Sequence, residues 1–220
     1  MYHLLSLSHD SDSTSESTKR SPKEIYIDDW INGGMRRFAD SATEHGLSVH
    51  QFVAHYLLDT HSFAADDSKR EIERLSSLAR ALVESSLCRV LTVPLGVTYA
   101  ITIDRARETL LRFTTDLIAS LPGGTRLAFE ALPGSILGTP KAAEAFLHKL
   151  RTDRVGFILD TGHLWSQGIT PEMLVHAVGG VRIFGTHICD NDGTKNDSLV
   201  PGRGTIDWKR LLRALNDAGY

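Results

Sequence analysis

Apolar and polar residues follow two different periods along this chain, and the two periods alternate. Ile72, Leu75, Leu78 and Leu82 recur at helical spacing. Short apolar runs such as residues 155–159 separate the helical stretches and are typical of buried strands. The predicted strands are residues 24–30, 47–53, 89–96, 126–130, 154–160 and 181–187, and the predicted helices cover about 31–46, 68–87, 102–121, 140–150, 171–178 and 205–218.

Strict alternation of strands and helices predicts parallel strand pairing, because parallel strands need a long crossover that a helix usually supplies. A closed (β/α)8 barrel and an open doubly wound sheet both satisfy this rule. No GxGxxG or GxxxxGK[ST] loop is present to support a nucleotide-binding open sheet. Polar residues gather at the ends of several strands, which favours the barrel, whose sites lie at the carboxyl ends. We therefore expect an α/β fold that resembles a (β/α)8 TIM barrel.

Three of the predicted strands end on residue types that commonly bind metals or transfer protons in proteins. The run from Arg126 ends on Glu130, the run from Arg154 ends on Asp160, and the run from Val181 ends on His187. A carboxylate or an imidazole at the end of a buried strand indicates a metal site or an acid/base site.

Period-2 geometry predicts which side of the sheet these three residues face. Glu130 shares its face with Ala128, and Asp160 shares its face with Gly156 and Ile158. In the last strand His187 shares its face with Ile183 and Gly185, whereas Phe184 lies on the opposite face. The polar ends thus share the face that carries the smaller residues, as a narrow barrel interior requires.

Composition narrows the class of protein. The chain has 220 residues, of which 41% are hydrophobic, which is enough for one well-buried domain. A net charge of −3 and a pI of about 6.4 give no general reason to expect a nucleic acid partner. Cys88 and Cys189 have no CxxC spacing, which favours a reduced cytoplasmic protein. No apolar run reaches the length of a membrane span.

The amino-terminal stretch differs from the rest of the chain. Residues 8–24 contain no large apolar residue and are rich in serine and charged residues. We therefore expect residues 1–24 to form a disordered tail or linker, and residues 25–220 to form the barrel domain.

Four segments together carry a family resemblance. They are Leu-Ala-Phe-Glu130, Leu-Asp160-Thr-Gly-His163, His187-Ile-Cys-Asp190 and Pro201-Gly-Arg-Gly-Thr-Ile-Asp-Trp208. In this order and spacing they resemble the xylose-isomerase-like TIM barrels, which include sugar and sugar-phosphate isomerases and epimerases and the endonuclease IV type AP endonucleases. The resemblance covers roughly residues 25–218.

The resemblance implies a divalent metal ion, such as Mn, Mg, Co or Zn, held by Glu130, Asp160 and His187. It also implies a small sugar-like substrate that reacts through an enediolate, with Glu130 as the catalytic base. His163 would be a catalytic residue at the rim that contacts a substrate oxygen or supports the metal ligands. Arg203 could bind an anionic group of the substrate.

Two features depart from the family pattern. A carboxylate from strand eight normally completes the metal site, but the chain stops at residues 216–220, where that strand would begin. The first strand, His3–Ser8, is also doubtful because no covering helix follows it. We therefore expect a barrel that is incomplete at both ends. With one visible base, aldose-ketose isomerisation is easier to support than epimerisation.

The sequence leaves two other functions open, and it is also compatible with a homo-oligomer. One is a non-catalytic barrel remnant with a binding or structural role. The other is an AP endonuclease of the endonuclease IV type, which ranks lower because Val93 and Leu199 stand where that resemblance would place metal-binding histidines.

Overall fold

Five parallel strands form the centre of the computed structural model, which describes residues 27–55, 68–96 and 102–220. The strands are β1 (Gln51–Val53), β2 (Val90–Leu95), β3 (Arg126–Ala131), β4 (Val155–Asp160) and β5 (Ile183–His187). They pair in sequence order, and every pair is parallel. The sheet curls into a half-barrel, so the predicted α/β fold of an incomplete TIM barrel is confirmed. The expected tail over residues 1–24, the strand at His3–Ser8 included, lies outside the described residues.

Helices connect the strands and cover the outer face of the sheet. They are α1 (Met35–Glu44), α2 (Ser68–Glu84), α3 (Ile103–Ser120), α4 (Pro140–Leu150), α5 (Thr161–Trp165), α6 (Pro171–Val178) and α7 (Trp208–Asp217). A π-helical turn at Trp30–Gly34 precedes α1, and a 3-10 turn at Gly180–Arg182 precedes β5. None of the helices in the described part of the chain is long and apolar enough to cross a membrane.

Local signals at the helix ends explain why several predicted bounds agree with the structure. Thr102 and Thr139 accept a hydrogen bond from the backbone N–H three residues ahead and so begin α3 and α4. Pro140 and Pro171 stand at the first turns of α4 and α6, where a missing N–H costs nothing. The predicted helices 140–150 and 171–178 are confirmed to the residue.

Of the two predicted amino-terminal strands, the one over residues 24–30 is wrong in its described part and the one over residues 47–53 is too long. Residues 27–29 are helical instead of extended, and Asp29 makes no capping hydrogen bond. The helical form buries Ile27 and Met35 together, which outweighs the strand propensity of the run. The predicted strand 47–53 pairs only over Gln51–Val53, because Leu47 is 58% exposed and has no face to bury.

The apolar interior divides between the two faces of the sheet. The larger cluster packs the outer face against the helices and includes Leu91, Phe129 and Phe157, all with no exposed surface. A smaller cluster fills the inner face and consists of Val90, Ala128, Ile158 and Phe184. Burial of both faces explains why β2, β3 and β4 read as continuous apolar runs.

A β-bulge in β5 changes the side that two residues face. Phe157 pairs with Ile183, but Ile158 pairs with Gly185, so Phe184 is an extra residue between the two pairs. Ile183 therefore packs with the helices and Phe184 packs inside, the reverse of the prediction. After the bulge the alternation resumes, and His187 pairs with Asp160 as an inner-face neighbour.

The amino ends of β3, β4 and β5 are fixed by two arginines. Arg154 donates hydrogen bonds to the carbonyl oxygens of Ile118, Leu121, Pro122 and Thr125, at distances of 2.8–3.3 Å. The Arg182 guanidinium donates to the carbonyl oxygens of Thr152 and Val155. Among the residues that the structure describes, both guanidinium groups have neutral carbonyl acceptors and no carboxylate partner, so we interpret their role at this end of the sheet as structural.

Candidate metal centre at the carboxyl ends of the strands

The structure brings Glu130, Asp160 and His187 together at the carboxyl ends of β3, β4 and β5. His187 Nδ1–H donates to Glu130 Oε1 at 2.9 Å, and the same nitrogen lies 3.6 Å from Asp160 Oδ2. Glu130 is only 4% exposed. Parallel pairing places the three strand ends at one edge, which is why residues far apart in sequence converge here.

His163 joins this cluster from the short helix α5, which the sequence patterns did not predict. Asp160 Oδ1 accepts the backbone N–H of His163 at 2.8 Å and so caps α5. The other oxygen, Asp160 Oδ2, stays free to face the imidazoles. His163 Nδ1 lies 3.7 Å from Asp160 Oδ2 and 3.8 Å from Glu130 Oε1. This nitrogen is buried and has no hydrogen-bond partner among the described residues.

The electrostatics of the cluster favour charged forms. Asp160 and Glu130 raise the pKa of His187 to about 10, against the opposing effect of burial. Burial alone would raise the pKa of Asp160, but the hydrogen bond to His187 and the neighbouring His163 hold it below its usual value. In the metal-free protein the cluster therefore combines an imidazolium with an ionised carboxylate.

The donor set fits a divalent cation. One ligand atom from each of Glu130, Asp160 and His163 lies within 4.8 Å of the other two, and His187 Nδ1 borders the same carboxylate oxygens. Two carboxylates and two imidazoles suit zinc, manganese and related ions. The unpartnered Nδ1 of His163 is also what a ligand without its metal would show, since buried nitrogens are otherwise paired.

Sequence reasoning missed two polar residues that lie beside the cluster. Gln51 Nε2 lies 2.9 Å from His187 Nε2, on the side of the ring away from the carboxylates. Thr92 Oγ1–H donates to Gln51 Oε1 at 2.7 Å. Gln51 sits at the start of a short strand and Thr92 sits inside an apolar run, so no local pattern marked either of them.

The loop after β5 is organised around Asp190 and does not bring Arg203 into the cluster. Asp190 is fully buried. Its carboxylate accepts from the N–H groups of Asn191, Gly202 and Ile206 and from Nε1–H of Trp208. These hydrogen bonds lower the pKa of Asp190 although burial opposes them. Arg203 is exposed, and its guanidinium makes no hydrogen bond or ion pair with the part of the chain that the structure describes.

The chain is similar to known proteins over most of its length. A family model described as "Xylose isomerase-like TIM barrel" matches residues 16–220. Inosose isomerase from Bacillus subtilis (strain 168) is 28% identical over 145 residues, which are 57% of this chain and 52% of that protein. The chain therefore aligns with about half the length of this relative.

Two solved structures share the fold. The IOLI protein, solved with a bound zinc atom, has a TM-score of 0.67 and 19% identity, and the match covers 91% of this chain and 73% of the other. A D-tagatose 3-epimerase-like protein has a TM-score of 0.66 and 19% identity, with coverage of 84% and 72%.

Proposed function

This chain belongs to the xylose isomerase-like TIM barrel family, and we propose that it is a divalent-metal-dependent isomerase or epimerase of a sugar or sugar phosphate. The observation that carries the proposal is the convergence of two carboxylates and two imidazoles at the strand ends. The similarity to an inosose isomerase supports the reaction class, and the zinc atom bound by the IOLI protein supports a divalent metal.

Glu130, Asp160 and His187 are the proposed metal ligands. Their oxygen and nitrogen atoms already face one another, so a cation would take the place of the His187 proton that Glu130 now accepts. The nitrogen of His163 is available as a further ligand or as a hydrogen-bonding group for substrate. A bound Mn, Mg, Co or Zn ion would polarise the substrate carbonyl and lower the cost of an enediolate.

Glu130 is the proposed catalytic base. Its side chain is only 6% exposed, so few water molecules compete with the carbon acid for the carboxylate. The carboxylate would take the proton from the carbon next to the carbonyl and return it to the former carbonyl carbon. The proton of the adjacent hydroxyl would pass to the former carbonyl oxygen, which completes the interconversion of an aldose and a ketose. One base on one side of the substrate is sufficient for this reaction. His163 Nδ1–H would hydrogen bond to a substrate oxygen and so hold the substrate in place.

Metal analysis of the purified protein tests the proposal. Wild-type protein should hold near-stoichiometric divalent metal after exposure to Mn2+, Co2+, Zn2+ or Mg2+, and its thermal midpoint should rise with the metal. The variants Glu130→Gln and His187→Ala should lose most of this binding. Glu108→Gln and His148→Ala are matched controls, because both residues are exposed on outer helices.

Activity assays then separate the candidate reactions. We expect interconversion of an aldose and a ketose, or of two epimers, that stops when a chelator is added and is lost in Glu130→Gln. A folded wild-type protein that binds none of the four metals would contradict the proposal and favour a non-catalytic role. Cleavage of an abasic-site duplex would instead favour the endonuclease.

A further inference from the structure

The nitrogen of His187 that faces away from the carboxylates has a defined partner. Gln51 reaches His187 Nε2 at 2.9 Å from β1, although the two residues are 136 positions apart. β1 and β5 are at opposite ends of the strand order, so this contact spans the inner face of the half-barrel. The His187 side chain is 34% exposed, and the Gln51 side chain makes the hydrogen bond to its Nε2 atom.

Gln51 is itself held in place by the neighbouring strand. Thr92 on β2 has no exposed surface, and its hydroxyl donates to Gln51 Oε1 at 2.7 Å. Both ends of the Gln51 amide group therefore have a partner, one on β2 and one on β5. A side chain fixed at both ends of its amide loses its rotational freedom, so His187 meets a rigid partner.

A second contact keeps the segment before β1 close to β5. His50 Nε2–H donates to the backbone carbonyl of Phe184 at 2.6 Å. Gly185 leaves the space for this ring, since a Cβ atom there would lie 3.3 Å from His50 Nε2 and 3.1 Å from Ile158 Cδ1. The residue next to Gln51 is thus anchored to the strand that carries His187, which sets the distance that Gln51 must span.

The chemistry of an amide suits this position. With its nitrogen toward the ring, Gln51 donates to a His187 Nε2 that carries no proton. That orientation suits a neutral ring whose Nδ1–H is donated to Glu130. After a half-turn of the amide, its oxygen accepts from an Nε2 that carries a proton, as the charged imidazolium does. Thr92 can follow either orientation because a hydroxyl both donates and accepts. A histidine that binds a metal through Nδ1 carries its proton on Nε2, and an acceptor there orients the ring.

We propose that Gln51, anchored by Thr92, is a positioning residue that holds the His187 ring in the orientation a metal requires. The inference rests on the proposed metal site and adds two residues to it. Neither residue contacts the carboxylates by a hydrogen bond, so their effect on the metal passes through His187.

Two substitutions with a matched control test this role. Gln51→Leu keeps the size of the side chain and removes both hydrogen bonds, and Thr92→Val removes the hydroxyl while it keeps the shape. Both should weaken Mn2+ binding about 10- to 100-fold in calorimetric titrations. Thr92→Ser retains the hydroxyl and should stay within about threefold of wild type.

A second readout does not depend on the metal. In metal-free protein, the 15N resonances of the His187 ring should shift in Gln51→Leu and Thr92→Val and stay unchanged in Thr92→Ser. If wild-type protein binds none of the four metals, the proposed function fails and these resonances alone decide the role of Gln51. Unchanged resonances would overturn the inference, and so would an equal loss of Mn2+ affinity in Thr92→Ser and Thr92→Val.

Discussion

Asp160 and Asp190 both lie at the carboxyl side of the sheet, both are largely shielded from water, and their partners differ. Asp190 accepts hydrogen bonds from three backbone N–H groups and one indole, all of them neutral donors. Asp160 uses one oxygen to cap α5 and turns the other toward two imidazoles beside Glu130. The pKa of each carboxylate is lowered by its partners, but only Asp160 keeps an oxygen for a ligand.

The comparison shows how a carboxylate with a structural role can be distinguished from one that is a candidate for binding. A buried carboxylate whose oxygens are saturated by fixed donors stabilises the fold and has nothing left to bind. A carboxylate that faces a second carboxylate and two imidazoles needs a positive partner, which is protonated His187 without metal and would be the cation in the proposed site. By the same reasoning Arg154 has a structural role, because its guanidinium donates to four carbonyl oxygens.

The largest expected effect is on stability and comes from Asp190→Asn. The amide would turn an N–H group toward existing donors, so hydrogen bonds to a charged acceptor are lost and donors stay unpaired in the interior. We expect the free energy of unfolding in urea to fall by about 3 kcal/mol or more. Asp192→Asn is the control in the same loop, because Asp192 is exposed and should change stability by less than about 0.5 kcal/mol.

This effect should also depend on pH in a defined direction. The folded pKa of Asp190 is depressed below 3.8, so its stabilisation is present above that value and is lost as pH falls through the folded pKa. The gap between wild type and Asp190→Asn should therefore close at strongly acidic pH. A gap below about 1 kcal/mol at neutral pH would contradict the structural assignment of Asp190.

Asp160→Asn should give the opposite pattern, with a large effect on metal and a small one on the fold. Asparagine still caps α5, so the metal-free free energy of unfolding should fall by less than in Asp190→Asn, and mainly through the lost attraction to the His187 imidazolium. Loss of an anionic ligand should weaken Mn2+ or Zn2+ affinity about 100-fold or more, measured by competition with a chelator. Strong destabilisation with unchanged affinity would place Asp160 in the same class as Asp190.

His187 gives a pH dependence on the alkaline side in metal-free protein. Its pKa rises from 6.5 to about 10 on folding, so its contribution to stability is complete below 6.5 and is lost as pH rises through about 10. Urea unfolding of wild type and His187→Gln with a chelator present should show a gap that narrows steadily between these two pH values. A gap that stays constant between these two pH values would mean that His187 is already neutral in the folded protein.

The smallest effect is expected from Arg203→Ala. Arg203 is exposed on its turn, so metal affinity and the free energy of unfolding should match wild type, the affinity within about twofold and the stability within about 0.5 kcal/mol. If Arg203 binds an anionic group of the substrate, KM should rise only for the phosphorylated form of a sugar. If the variant has the same KM as wild type for the phosphorylated sugar and for the free sugar, Arg203 does not belong to the proposed site.

The parts of the fold that could be predicted are those set by neighbours in sequence. The predicted bounds of α4 and α6 are confirmed, and both helices begin at a local Thr-Pro pair. The predicted strand ends at Asp160 and His187 are also confirmed, whereas β3 continues one residue past Glu130 to Ala131. The parallel sheet followed from the alternation of periods. These signals are local, so each of them can be read without knowing what packs against the segment.

The parts that escaped prediction depend on distant contacts. The contact of Gln51 with His187 joins residues 136 positions apart, and the burial of Asp190 requires donors from a loop that folds back over it. The helical form of residues 27–29 depends on tertiary packing of Ile27 and Met35. The bulge in β5 depends on space beside Gly156, where a Cβ atom would collide with the Arg182 carbonyl and the Phe184 ring.

That bulge decides which of two neighbouring side chains stands beside the carboxylates. If β5 kept all its residues and paired regularly from Ile183 onward, Thr186 would pair with Asp160 and His187 would turn toward the helices. An alignment that ignores the bulge would therefore match a hydroxyl to the position of the imidazole. A transplanted β5 needs either the bulge or the deletion of Phe184 to keep His187 on the inner face.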